Sequence, residues 1–122
     1  MHEMGIALEI IRIVQASIPA DQTDAQVERV NLKVGKLSAV VPDSLRFCFE
    51  VAAQDTSLEG AELAIDEIPV SALCRTCDHR WTIAEPVFIC PKCNGGQIEM
   101  LSGRELDIDS IEIIEKDQPN VE

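Results

Sequence analysis

Four of the chain's five cysteines stand in two close pairs, Cys74 with Cys77 and Cys90 with Cys93, two residues apart within each pair and twelve residues apart between pairs. A C-x2-C turn brings two sulfurs to one centre, and its backbone amides can hydrogen-bond to them. Two such knuckles make a closed tetrahedral four-thiolate site, for which zinc is the default occupant. A closed site leaves no open position for water or substrate, so it reads as a structural staple for a segment too short to hold its own core. Arg75, Arg80 and Lys92 lie near enough in sequence to moderate the charge of a tetrathiolate.

Cys90-Pro91-Lys92-Cys93 is also similar to half of a rubredoxin knuckle, which would hold iron and carry electrons. Cys77 is followed by Asp78 rather than the glycine expected there, which favours zinc. The fifth cysteine, Cys48, falls on the apolar face of a predicted helix and reads as a small buried hydrophobe.

A second constellation opens the sequence, Met1-His2-Glu3. The His2 imidazole and the His2 backbone nitrogen can close one chelate ring, and the His2 and Glu3 nitrogens a second. Square-planar nickel(II) or copper(II) favours such donors. The rings place imidazole and Glu3 nitrogen on either side of the His2 nitrogen. Either the Met1 amine replaces the Glu3 nitrogen in that plane, or another residue, a water or a partner completes the square, with Asp43 and His79 as candidates. Amide deprotonation makes uptake release protons and weaken as pH falls.

The rest of the composition narrows the function. Among 122 residues, 10 Lys and Arg stand against 22 Asp and Glu, a formal charge of −12, and only 3% are aromatic. Such a chain repels phosphate backbones and anionic lipid and offers few stacking platforms, so neither nucleic acid nor membrane is an expected partner. Acidic residues crowd the segment from Glu105 onward, a solvated face or a surface for a basic partner. An odd cysteine count in close pairs is metal spacing rather than a disulfide framework, and with no export signal it points to the cytoplasm. No run reaches the roughly 20 apolar residues of a membrane span. No nucleophile with a paired base and no Gly-rich phosphate loop is present, so enzyme chemistry is not expected.

The elements that must position these groups follow from periodicity. Met4, Ala7, Leu8, Ile11, Val14 and Ile18 predict a helix ended by Pro19. After a polar turn over 20–25, Val30, Leu32 and Val34 alternate with polar residues as a strand stopped by Gly35. Pro42 and Asp43 open a second helix with Leu45, Cys48, Phe49 and Ala52 on one face, and Leu63 and Ile65 belong to a second strand closed by Pro69. Trp81, Thr82 and Ile83, and Val87, Phe88 and Ile89, read as short ribbon strands. In the last strand the apolar parity slips between Ile108 and Ile111, which predicts a bulge or break near Ser110. The expected class is α+β, two helices on a small, mostly antiparallel sheet with an inserted four-cysteine zinc-ribbon lobe. The expected domains are 1–69 plus 104–122, and 70–103.

Met1-His2-Glu3, Val34-Gly35-Lys36-Leu37-Ser38, the two knuckles, Glu105-Leu106-Asp107-Ile108 and Ile111-Glu112-Ile113 together resemble the HypA/HybF family over nearly the full chain. The resemblance implies a nickel metallochaperone, not an enzyme, that helps insert nickel into the [NiFe] hydrogenase large subunit, and in some organisms urease, with the GTPase HypB. It implies that His2 and Glu3 carry nickel and that Cys74, Cys77, Cys90 and Cys93 carry structural zinc. It also makes the links around Pro69 and Gly103 candidate hinges. The rival readings are a zinc-ribbon interaction module without nickel transfer and an iron electron carrier.

Overall fold

A computed structural model describes residues 2–22 and 25–115. The elements in chain order are α1 (Glu3–Ser17), β1 (Ala25–Gly35), α2 (Pro42–Ala52), β2 (Glu62–Ile68), β3 (Val70–Cys74), β4 (Arg80–Ile83), β5 (Ile98–Ser102) and β6 (Leu106–Glu115), with one 3-10 turn at Ala20–Gln22. The strands form two three-stranded sheets, ordered β2-β1-β6 and β4-β3-β5. The class is α+β, two helices packed on small sheets with a four-cysteine lobe. The chain divides into two compact units, Met1–Leu32, Val40–Ile65 and Ile108–Glu122 in one, Lys33–Ala39 and Asp66–Asp107 in the other.

In the first unit α1 packs against α2. The buried stripe of α1 is Glu3, Ala7, Ile10, Ile11 and Val14, whereas Met4 and Leu8, expected inside, are exposed. The stripe keeps Ala7, Ile11 and Val14 but trades Met4 and Leu8 for Glu3 and Ile10, a rotation of its centre by about 50°. The cause is Glu3, whose carboxylate finds a donor inside. α2 starts at Pro42, whose fixed φ and missing N–H suit a first helical position, and it buries Leu45 and Phe49. Full burial of two such side chains contributes about 2–3 kcal/mol each. Cys48 is only half-buried.

The central strand β1 begins at Ala25, within the segment expected as a turn. Its buried residues are Ala25 and Val27, then Val30, Leu32 and Val34. The inward face thus changes at Glu28 and Arg29, where Arg29 pairs with Glu62 of β2 at 3.0 Å. β6 behaves alike. The strand is unbroken through Ser110, but Asp109 and Ser110 are both exposed between the half-buried Ile108 and Ile111. The parity slip is real, and the chain absorbs it without leaving the strand.

In the second unit β3 pairs antiparallel with β4 and β5, setting Ala72 opposite Trp81 and Met100 and Cys74 opposite Ile98. Ala72 and Cys74 are fully buried. Val87, Phe88 and Ile89 are not a strand. They are exposed and irregular, and Pro86 and Pro91 on either side supply no N–H for a ladder. The third strand is β5 instead.

Residues 35–37 bind both chain segments that enter and leave the cysteine-bearing strands. Gly35 N–H donates to Glu105 O at 2.7 Å, Lys36 N–H to Ile68 O at 3.0 Å, and Leu37 N–H to Gly103 O at 2.7 Å. A Cβ on Gly35 would overlap the Gly103 carbonyl and the Arg104 nitrogen. Gly103 has φ +117° and would set a Cβ 2.8 Å from Val70 Cγ2. Pro69, the other expected hinge, accepts a hydrogen bond from Ser102 Oγ at 2.8 Å.

Candidate metal centres

The two knuckles are near copies of one another. In the first, Cys74 N–H donates to His79 O at 2.8 Å and Asp78 N–H to Cys74 O at 2.8 Å. In the second, Cys90 N–H donates to Gly95 O at 3.0 Å and Asn94 N–H to Cys90 O at 2.8 Å. Asp78 and Asn94, each just after a knuckle's second cysteine, share a left-handed backbone, φ 63° and 61°. Asp and Asn tolerate that region better than most residues. The glycine missing after Cys77 is thus no obstacle to the turn. Its absence does not separate zinc from iron.

The four Sγ atoms lie within 4.8 Å of one another, with Cys74–Cys93 and Cys77–Cys90 both at 3.6 Å. Tetrahedral zinc at about 2.3 Å from each sulfur would require sulfurs roughly 3.8 Å apart, so the donor set fits. Cys74 and Cys90 are buried, and Cys77 and Cys93 are exposed. The cluster is closed in coordination but reachable from one side.

Local amides divide the protons between these pairs. The Cys77 and Thr76 amides hold Cys74 down at about 6 against the effect of burial. Burial raises Cys90, but the Cys93 and Lys92 amides, with Lys92 N 3.4 Å from its sulfur, outweigh it and keep it low. The His79 amide pulls Cys77 down, yet burial and the sulfurs of Cys90, Cys74 and Cys93 push it up to about 12. Cys93 is likewise drawn down by the Gly95 amide and raised on balance by Cys74 and burial. Each knuckle therefore pairs one thiol held below its ordinary value with one raised above it, from which a metal must displace a proton.

At the other constellation, His2 is exposed, stands at the N-cap of α1 and makes no side-chain cap bond. Its carbonyl accepts Ile6 N–H at 3.3 Å. Glu3 is buried, and its carboxylate accepts Val41 N–H at 3.1 Å. The Val41 amide holds this carboxyl below its ordinary value, with smaller help from the Glu3 amide and the Ser44 hydroxyl against burial. Asp43, on the first turn of α2, pairs with Arg46 at 3.2 Å. His79 stacks on Trp81, ring centroids 5.5 Å apart at 9°. Both candidate fourth ligands thus have partners of their own. Sequence reasoning missed the matching turns at Asp78 and Asn94, although an Asx residue just past each knuckle was a signal for them.

Two helices on small sheets, joined to a four-sulfur cluster suited to a metal, define a small α+β metal-binding protein with a ribbon-like lobe. A family model described as hydrogenase/urease nickel incorporation, metallochaperone, hypA, matches residues 1–113. The hydrogenase maturation factor HypA of Desulfosudis oleivorans is 55% identical over 94% of this chain and 100% of its own length. That of Desulfatibacillum aliphaticivorans is 51% identical over 97% and 91%. The solution structure of the Ni metallochaperone HypA from Helicobacter pylori has the same fold, with a TM-score of 0.62 at 23% identity over 93% of this chain and 98% of that one. The chain belongs to the HypA family of nickel metallochaperones that serve hydrogenase maturation. Its members are carriers, not enzymes. Among the described residues, no helix is long and apolar enough to cross a membrane.

Proposed function

We propose that this chain carries nickel(II) on the His2 imidazole and the main-chain nitrogens of His2 and Glu3, and delivers it in the cytoplasm to the [NiFe] hydrogenase large subunit with the GTPase HypB. The observation that supports this most is the contrast at the start of α1. His2 is exposed and uncapped, while its neighbour's carboxylate is buried and spent on Val41. The imidazole is free to take and release a cation, and the anchored Glu3 keeps the segment next to it from wandering. Glu3 then contributes its nitrogen, not its side chain.

Cys74, Cys77, Cys90 and Cys93 would hold zinc as a structural ion, which supplies cross-linking of the two knuckles and no open coordination position. On this reading residues 1–69 and 104–122 form the nickel-binding part and 70–103 the zinc-binding part. The exchangeable and the permanent metal are kept in chemically different sites. Urease maturation proteins are further acceptors where a urease is present.

The test is nickel hand-over. Nickel-loaded chain is mixed with nickel-free large-subunit precursor and HypB, with a chelator present to trap free ion, and nickel in the precursor is measured. Wild type should deliver and His2→Ala should not. Equal delivery by both removes His2 from the carrier site. No delivery by either leaves a zinc-ribbon interaction module as the better reading.

A further inference from the structure

The first unit contains a groove of about 590 Å³ between α2 and β2, lined among others by Arg46, Phe47, Glu50, Glu62, Ala64 and Ile65. It exists because Ala53, Gly60, Ala61 and Ala64 are small where the helix faces the strand. The loop joining the two elements is braced. Thr56 Oγ1 bonds to Ala53 O at 2.6 Å and accepts Leu58 N–H at 3.0 Å, and Asp55 N–H donates to Glu59 Oε1 at 2.8 Å. The groove is therefore present before anything enters it, which lowers the ordering cost of binding.

Four observations say what would enter. β2 is an outer strand of its sheet, with no strand on its far side among the described residues. Its Leu63 carbonyl is held by Arg46 Nε at 3.4 Å, a long bond that a main-chain amide would replace with a better one. Phe47, at the rim, is 63% exposed, an aromatic surface without a partner in keeping with its size. Finally, this unit holds fifteen of the 22 acidic residues and four of the 10 basic ones, and Glu50 and Glu62 line the groove itself. A second copy would bring the same negative charge, so a basic partner is favoured.

We propose that this groove receives an extended segment of a partner protein, apolar residues alternating with Lys or Arg, added as a strand beside residues 62–65. Main-chain bonds to β2 supply affinity, Phe47 and Ile65 receive the apolar side chains, and Glu50 selects the basic ones, with Glu62 shared between Arg29 and the incoming cation. Arg46 acts as a guard that covers the strand edge until the segment displaces it.

The probe is a labelled octapeptide of alternating Val and Lys, compared with peptides of the same sequence N-methylated at every second residue in either register and with a Val–Glu peptide. Binding is read by fluorescence anisotropy and by amide shifts in the full chain. Shifts should fall at 60–65 and on α2. The weaker-binding N-methyl register and the Val–Glu peptide should each lose about tenfold or more in affinity, and Phe47→Ala about tenfold. Arg46→Ala should bind several-fold tighter, since it uncovers the Leu63 carbonyl and removes a like charge. Phe47 is exposed, so its variant is expected to fold, which circular dichroism checks. The proposal is overturned by no binding, by equal binding of both N-methylated peptides and the parent, by a Phe47→Ala variant of unchanged affinity, or by a wild-type dimer that Phe47→Ala dissociates.

Discussion

The carboxylate of Glu3 accepts the main-chain N–H of Val41 at 3.1 Å, so the residue beside His2 is fastened to the N-cap of α2. This one bond places a glutamate at the head of α1's buried stripe. It also divides the work of two adjacent residues, one anchored and one free.

Replacing the anchor should therefore affect folding before it affects nickel. Glu3→Ala is expected to melt at lower temperature than wild type while keeping nickel binding, whereas His2→Ala should melt as wild type and lose nickel. Because the folded carboxyl is held below its ordinary value, its contribution is present above that value and fades as pH falls through the lowered one. The two melting curves should thus converge on acidification below about pH 4. A Glu3→Ala chain that melts as wild type at neutral pH would remove the anchor from the account.

The split between lowered and raised thiols sets the pH dependence of the cysteine site. At neutral pH the raised Cys77 and Cys93 carry protons, so zinc must displace both, while Cys74 is mostly ionised above about 6. Zinc affinity should fall as pH falls, by at least about a hundredfold per pH unit between roughly pH 6.5 and 8, since the protons on Cys77 and Cys93 must both leave, and more steeply where Cys74 also protonates. Chelator competition across that range measures the slope. A flat profile would contradict the proton assignment.

The matching turns after the two knuckles make a separate prediction. At φ 63° and 61°, Asp78→Gly and Asn94→Gly should change stability by no more than about 1 kcal/mol, whereas Asp78→Val should cost about 1–2 kcal/mol and weaken zinc binding. Urea unfolding of the zinc-loaded chain, with Trp81 stacked on His79 beside the first knuckle as the fluorescent reporter, gives both numbers.

Among the glycines of the second unit, Gly35 has the least room for a side chain. With no room between it and the Gly103 carbonyl, Gly35→Ala must push the two backbones apart and break the bonds from Gly35 and Leu37. It is expected to cost about 3 kcal/mol or more, seen as a lower urea midpoint. Gly5→Ala, where nothing lies within 4 Å of the added Cβ, is the control and should be neutral or stabilising.

What could be read from the sequence was local. Cysteine spacing picks out the four sulfurs that lie together because a C-x2-C turn is built from adjacent residues, and Pro19, Gly35 and Pro42 mark element ends for reasons of their own backbone chemistry. What could not be read depends on residues far apart. The phase of α1 rests on a bond from Glu3 to Val41, 38 residues away. The third ribbon strand rests on pairing between Cys74 and Ile98, so the apolar run Val87–Ile89 was mistaken for it. The family's Val34-Gly35-Lys36-Leu37-Ser38 segment is recognisable as a motif, but its purpose, closing on residues 68, 103 and 105, appears only in three dimensions.

The central claim is that one chain keeps two metals in two independent sites, an exchangeable nickel at His2 and a permanent zinc at the four cysteines. Native mass spectrometry of nickel- and zinc-supplied wild type, His2→Ala and a variant extended by one residue before Met1 counts both metals in the same molecules. The account predicts one nickel and one zinc on wild type, and zinc alone on His2→Ala. The extension reports whether the Met1 amine is a ligand. Nickel retained in full by His2→Ala, or zinc lost together with nickel, would contradict it.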